Sequence, residues 1–322
     1  MSKTNTLKIT AEEAGARLDV FLSAKLKISR SQVQKMIAAG EILVNAKLPK
    51  KAGDTIKTGQ TIEYGLAAAK SKEAVKKDKA ADTKMTGKLK IISENKDFLV
   101  VEKPAGLLTH STVADERHSL SKILLKKYPG LKKVGDSPDR PGIVHRLDKE
   151  ASGLLVVARN QKMFDYLKEQ FKNRAVDKEY LVLVHDKVEA DTGTIDFPLA
   201  RSKSKDRMSA LPKTKYGVLQ GIGKEALTEF WVEKRFINFS LLLVKIYTGR
   251  MHQIRVHLLA YDHPVVGDPL YFQKKIKRAW DEKCGRLFLH CTKLSFIDLK
   301  GNKQNFESPL PKELAEFLKL LR

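Results

Sequence analysis

Apolar and polar positions follow two different periods along this chain, and the changes of period mark its elements. Near the N-terminus Leu18, Phe21 and Leu22 fall on one helix face, and Val33, Met36 and Ile37 fall on another, with Gly40 placed as a stop. Capping-box patterns, Thr10-x-x-Glu13 and Ser29-x-x-Gln32, precede the two stripes and predict a helix start at each. A short strand from Ile42 to Asn45, a turn carrying Lys47, Lys50 and Lys51, and a strand from Thr61 to Tyr64 follow. After Leu66 almost nothing remains that could be buried: AAAKSKEAVKKDKAADTKMTGK reads as a linker, flexible or transiently helical, over 66–88. It separates a small unit, 1–65, from a large one, 89–322.

Apolar runs return in the large unit. Phe98 to Glu102 reads as a strand closed by the turn Lys103-Pro104-Ala105-Gly106, and Gly153 to Arg159 as another. A helix through Phe164, Leu167 and Phe171 comes next, then a strand from Tyr180 to His185. Thr228 to Val244 has the apolar arms of a hairpin turning at Asn238. Strands in hairpins with helices on one side predict an α+β fold, a mixed, largely antiparallel sheet with flanking helices, joined to a small N-terminal α/β domain.

Charge narrows the partners. The 322 residues hold 61 basic and 38 acidic side chains, a formal net charge of +23, far beyond what solubility needs, so a polyanion is expected and nucleic acid is favoured. No apolar run approaches the roughly 20 residues of a spanning helix, and MSKTNTLKIT lacks the apolar core of a secretory signal. A cytoplasmic protein that binds RNA or DNA, not membrane, is the expectation. Cys284 and Cys291 form no C-x-x-C pair, so they read as reduced, partly buried thiols. On the second helix Arg30, Gln34 and Lys35 lie opposite the apolar stripe, and with Lys47 in the turn they are the candidate RNA contacts of the small unit.

Candidate chemistry centres on HRLDKEASGLLVVA, His145 to Ala158, where Asp148 sits between Arg146 and Lys149 just before a run apolar enough for a buried strand. A surface ion pair is one reading. The other is a reactive carboxylate at a loop-to-strand junction facing a cleft, with neighbouring cations favouring its charged form. A nucleophile or electrostatic stabiliser suits that form; a general acid does not. In TGRMHQIRVHLLAYDHPVVGDPLY, Thr248 to Tyr271, Ile254, Leu258 and Tyr261 keep helical spacing. Arg250 and Arg255 suit bidentate pairing with carboxylate or phosphate. His252, His257, His263 and Asp268 suggest a metal at first sight, but i, i+5 spacing does not stack two ligands on one helix face, so the histidines are expected to cap, pack or contact phosphate, as His252 does in this reading. Tyr180, at the head of a strand, is either core or a ring that stacks on a base.

RLDVFL…SRSQVQKMIAAGEILVN resembles the small RNA-binding module first described in a small-subunit ribosomal protein. GIVHRLDKEASGLLVVAR, FLVVEKPAGLLTH and TGRMHQIRVHLLAYDHPVVGDPLY resemble the pseudouridine synthases of the RluA class, which act mainly on large-subunit ribosomal RNA. That resemblance implies Asp148 as catalytic nucleophile, Arg255 as its ion-pair partner, Tyr180 as a ring packing on the target base and assisting proton transfer, and Arg146 as the group that helps occupy the space left by a flipped uridine. It implies a mainly structural part for Lys103 and Pro104, and neither cofactor nor metal. Ala151 stands where the family usually has Thr. A monomer is expected. Transfer RNA as substrate, a non-catalytic assembly factor and a metal-dependent nuclease are the competing readings; the last needs clustered carboxylates that the sequence does not display.

Overall fold

The computed structural model describes residues 5–26, 28, 30–49, 51–64, 89–111, 119–202, 207–211, 223–273 and 279–322. The expected linker 66–88, together with Ser29, Lys50 and the side chain of Lys35, lies outside the described residues. The chain forms two compact units.

In the first unit β1 (Asn5–Lys8), β2 (Ile42–Val44) and β3 (Thr61–Tyr64) make an antiparallel sheet in the order β1-β3-β2. Helices α1 (Leu18–Leu26) and α2 (Arg30–Ala38) pack on it through Leu18, Phe21, Leu22, Val33, Ile42 and Ile62. The first capping box does not start a helix. Glu13 accepts the Thr10 backbone N–H at 3.2 Å, but residues 11–15 form a turn, Gly15 adopts φ +88°, and Arg17 bridges to Thr55 before α1 begins. The strand expected through Asn45 stops at Val44, because Asn45 turns the chain with φ +50°.

The second unit is built on a sheet that, among the described residues, has nine strands. Eight follow the order β4 (Lys90–Glu94), β5 (Phe98–Lys103), β6 (Ser152–Ala158), β13 (Leu289–Ile297), β7 (Asp177–His185), β12 (Phe239–Ile246), β11 (Thr228–Arg235) and β8 (Thr192–Ile195). β14 (Lys303–Glu307) also pairs with β13, and β9 (Leu199–Arg201) pairs with β10 (Met208–Ala210) in a separate ribbon. β6 and β13 are parallel and the remaining pairs antiparallel, so the mixed, largely antiparallel α+β fold is as expected. The helices are α3 (Leu120–Lys127), α4 (Gln161–Lys172), α5 (Gln253–Ala260), α6 (Ala279–Cys284) and α7 (Lys312–Lys319). The helix through Phe164 is α4, whose Asn160 cap accepts the Met163 N–H at 2.9 Å. Every residue of β6 is buried, which explains its unbroken apolar run. Among the described residues no helix is long and apolar enough to cross a membrane.

Candidate active site

Residues 142–151 lead into β6, and several contacts pin this loop. Gly142 holds φ +67° with its carbonyl accepting the Ala158 N–H; a Cβ here would lie 2.2 Å from the Ala158 oxygen, so only glycine fits. His145 Nε2 accepts the Val156 N–H at 3.0 Å while its ring stacks on Phe171 at 4.6 Å. Burial, then the charge of Lys178, holds this imidazole down to about 3, so it stays neutral and keeps its acceptor. Thr109 Oγ1 donates to the Leu147 carbonyl at 2.8 Å and accepts the Leu147 N–H at 3.2 Å, fixing the residue before Asp148.

From the other side Lys103 reaches under the loop. Its fully buried Nζ donates to the carbonyls of Pro104, Leu107, Lys149 and Ala151, so one ammonium ties the turn after β5 to the two loop carbonyls that follow Asp148. Burial pushes that ammonium down to about 7, with the nearby charge of Asp148 opposing. The structural part that the resemblance implies for Lys103 has here a concrete form.

Asp148 does not point into bulk solvent. Its side chain is 13% exposed, and Oδ2 accepts from Arg255 Nη1 at 3.1 Å. The cation that meets the carboxylate therefore comes from α5, a helix distant in sequence, and not from Arg146. Arg255 is itself clamped: Nε and Nη2 each donate to Asp268 at 2.7 Å. Asp268 Oδ1 also takes the backbone N–H groups of Leu270 and Tyr271 at 2.8 and 2.9 Å. Burial alone would lower the Arg255 guanidinium; Asp268 and then Asp148 more than offset it and hold it above its ordinary value. Sequence reading considered Asp268 only as a metal ligand. It is the anchor that aims a guanidinium at Asp148, and the signal was the acid at a Gly-Asp-Pro turn, positioned to cap its own amides.

Tyr180 arrives by sheet register. It lies opposite Cys291 on β13, and Cys291 lies opposite Gly153 on β6, so one row across three strands carries the tyrosine to the loop end. Gly153, at φ +119°, lets β13 approach to a distance that a Cβ would block at 2.3 Å from Cys291. Burial, then the Cys291 thiol, raises the phenol well above its usual value, so the hydroxyl stays protonated. The cavity beside Asp148 is lined by Arg146, Tyr180, Arg250, His252 and Arg255, and holds about 50 Å³. Ala151 also lines it, where its missing hydroxyl leaves a buried methyl. Arg146 is exposed, and among the described residues it has no ion-pair partner. Arg250 donates to the Glu225 carbonyl at 3.0 Å. The histidines have protein partners: His252 meets the Tyr271 hydroxyl at 2.9 Å, His257 the Thr228 hydroxyl and the Phe197 carbonyl, and His263 the His185 carbonyl.

In the first unit Arg30 and Gln34 share one partner. Both donate to Asp19, at 3.1 and 2.9 Å, and Arg17 joins them at 3.0 Å. Asp19 is fully buried, and these donors, Arg17 first, hold it well below the usual carboxylate range. Arg30 keeps 54% of its side chain exposed, and Lys47 is exposed in its turn. The side chain of Lys35 lies outside the described residues.

An acid, an anchored arginine and a buried tyrosine thus meet around one small cleft of this sheet, and comparison with known proteins identifies the family of the chain that carries them. The family of RNA pseudouridylate synthases matches residues 97–260, and the S4 domain matches residues 16–62. An RNA pseudouridine synthase of Aquifex aeolicus, described as uncharacterized, is 37% identical over 84% of this chain and 81% of its own length. A ribosomal large subunit pseudouridine synthase D of Buchnera aphidicola is 32% identical over 98% of this chain and 97% of its own, and one of Nitrosomonas europaea 34% over 99% and 88%. Among solved structures, human RNA pseudouridylate synthase domain containing 1 superposes with a TM-score of 0.56 at 28% identity, covering 70% of this chain and 85% of that one. Human RNA pseudouridylate synthase domain containing 4 shares the fold, with a TM-score of 0.61 at 24% identity over 77% and 98%. The chain belongs to the RNA pseudouridylate synthase family. It is an isomerase acting on RNA.

Proposed function

We propose that this enzyme isomerises uridines of large-subunit ribosomal RNA, with Asp148 as nucleophile. The observation that carries the site assignment is the Asp148–Arg255–Asp268 arrangement, which holds a carboxylate in place at the mouth of a cleft beside a neutral phenol. In the reaction the N1 to C1′ bond of uridine breaks, the uracil turns over while held, and C5 bonds to C1′; C5 loses a proton and N1 ends with one. Nothing is oxidised and no group leaves, so the chemistry needs no electron carrier. Asp148 acts on C1′ or on the ring, and both routes need it ionised; Arg255 Nη1 donates to its Oδ2 at 3.1 Å.

The target nucleotide must first leave its stack, at a cost of about a few kcal/mol. A cavity of about 50 Å³ has room for a few water molecules, so the base enters as exposed side chains at its rim swing away. Arg146 is the group free to do so, and its guanidinium then stands in the vacated stack. Tyr180 packs on the entering ring and assists the transfer of the proton that leaves C5 and the one that ends on N1, its own hydroxyl being unchanged overall. Rigid loop anchoring by Lys103, Thr109 and His145 matters because a nucleophile misplaced by about an ångström loses much of its rate.

The relatives named for the large ribosomal subunit support ribosomal RNA as substrate. Mapping pseudouridines across total RNA of cells with and without this protein tests it: loss of one or more sites in large-subunit ribosomal RNA is expected, and loss confined to transfer RNA would overturn the substrate assignment.

A further inference from the structure

Next to the Asp148 cleft lies a second, larger cavity of about 350 Å³ that shares Arg146, Tyr180, Ile246 and Gly249 with it. Its charge is one-sided. His110, Arg140, Arg146, Lys172 and Lys178 line it, and among the described residues no carboxylate does. Two of these groups are built in. Lys178 is 7% exposed, its Nζ lies 5.2 Å from the centre of the Phe171 ring, and among the described residues it has no carboxylate partner. His110 is also 7% exposed, and its Nδ1 is buried with no hydrogen-bond partner among the described residues.

A buried ammonium without a counter-ion and a buried imidazole nitrogen without a partner are both unfavourable in the empty protein, and an anionic, hydrogen-bonding ligand relieves both. Lys172 adds a mobile charge, since its exposed pair with Glu169 at 3.4 Å is weak. Continuity with the Asp148 cleft identifies the ligand, because whatever fills the second cavity is joined to the nucleotide in the first. We propose that this cavity is a phosphate subsite, in which Lys178, Arg140 and Lys172 hold the backbone phosphate of the RNA strand beside the target uridine. The inference rests on the assignment of RNA as substrate and extends it to the path of the strand.

The subsite anchors the strand while the target leaves its stack, so its loss weakens binding more than chemistry. The test uses the full chain and a transcript of large-subunit ribosomal RNA, with Arg140→Gln, Lys178→Met and the conservative Lys178→Arg. The first two are expected to raise KM about tenfold with kcat within about twofold, and to lower the slope of log K against log salt by about one. Lys178→Arg is expected to keep the slope. Arg140 is exposed, so Arg140→Gln reads the subsite even if Lys178→Met fails to fold. Unchanged KM and unchanged slope in Arg140→Gln, or a loss confined to kcat, would overturn the subsite. A wild-type chain that forms no pseudouridine in any RNA would instead overturn the reaction assigned to it, and the salt slope would still decide the subsite.

Discussion

A single carboxylate carries the proposed chemistry, and its surroundings decide whether it can. Asp148 meets a guanidinium that Asp268 holds through two hydrogen bonds of 2.7 Å. Without the Asp268 charge Arg255 keeps only Asp148 as counter-ion, and two of its N–H groups lose a charged acceptor, a loss of about 1–3 kcal/mol. Asp268→Asn is therefore expected to lower thermal stability by that order and to reduce kcat with little change in RNA affinity, since Arg255 keeps its charge and loses its aim; unfolding curves and single-turnover rates check this. A second residue-scale expectation concerns His145. The unfolded chain takes up a proton at this residue near 6.5, whereas the folded imidazole resists to about 3, so between those values the unfolded state binds more protons and stability falls as pH falls. The expected slope is up to about 1.4 kcal/mol per pH unit, and His145→Gln, which retains an acceptor for Val156, should flatten it in denaturant titrations from pH 6.5 to 3.

At the scale of elements, backbone geometry at the two ends of the loop matters as much as any side chain. Gly142→Ala would place a methyl 2.2 Å from the Ala158 carbonyl at a positive φ, and Gly153→Ala one at 2.3 Å from Cys291. Each is expected to destabilise by more than about 1 kcal/mol, and Gly142→Ala to lower kcat as well, because the loop it starts carries Asp148; paired unfolding and rate measurements separate the two effects. These elements were unevenly legible in the sequence. GLLVVA announced a buried strand and is one, and the hairpin around Asn238 is β11 and β12. The resemblance supplied Asp148 with Arg255. The pairing of Arg255 with Asp268 escaped, because the first six residues of α5 are all buried and no polar face shows which way the arginine points. Arg30 and Gln34 lie opposite the apolar stripe of α2, as the spacing indicates; what spacing alone does not show is Asp19, a buried carboxylate in the first turn of α1 that gathers both. The Thr10 box misled because a side chain closing on its own backbone marks a turn as readily as a helix start.

For the whole molecule the net charge of +23 is the widest-ranging property, and it was plain from composition. Each unit has its own hydrophobic cluster, one around Leu22 and Ile62, the other around β5, β6 and β7. Deleting residues 1–65 is therefore expected to leave a folded catalytic unit that binds RNA more weakly and with a shallower salt dependence, as fewer phosphates are neutralised. Filter binding of the same transcript at several salt concentrations checks it, and an unchanged slope would mean that the S4 domain contributes little to the grip. The division of labour proposed here is that the basic surfaces hold the strand while one anchored acid acts on a single nucleotide.

That division is tested most directly by Asp148→Asn, assayed on large-subunit ribosomal RNA for both pseudouridine and affinity. No pseudouridine is expected, with the dissociation constant within about tenfold of the wild type, because binding rests mostly on phosphate contacts. Pseudouridine formed at the wild-type rate by that variant would contradict the account.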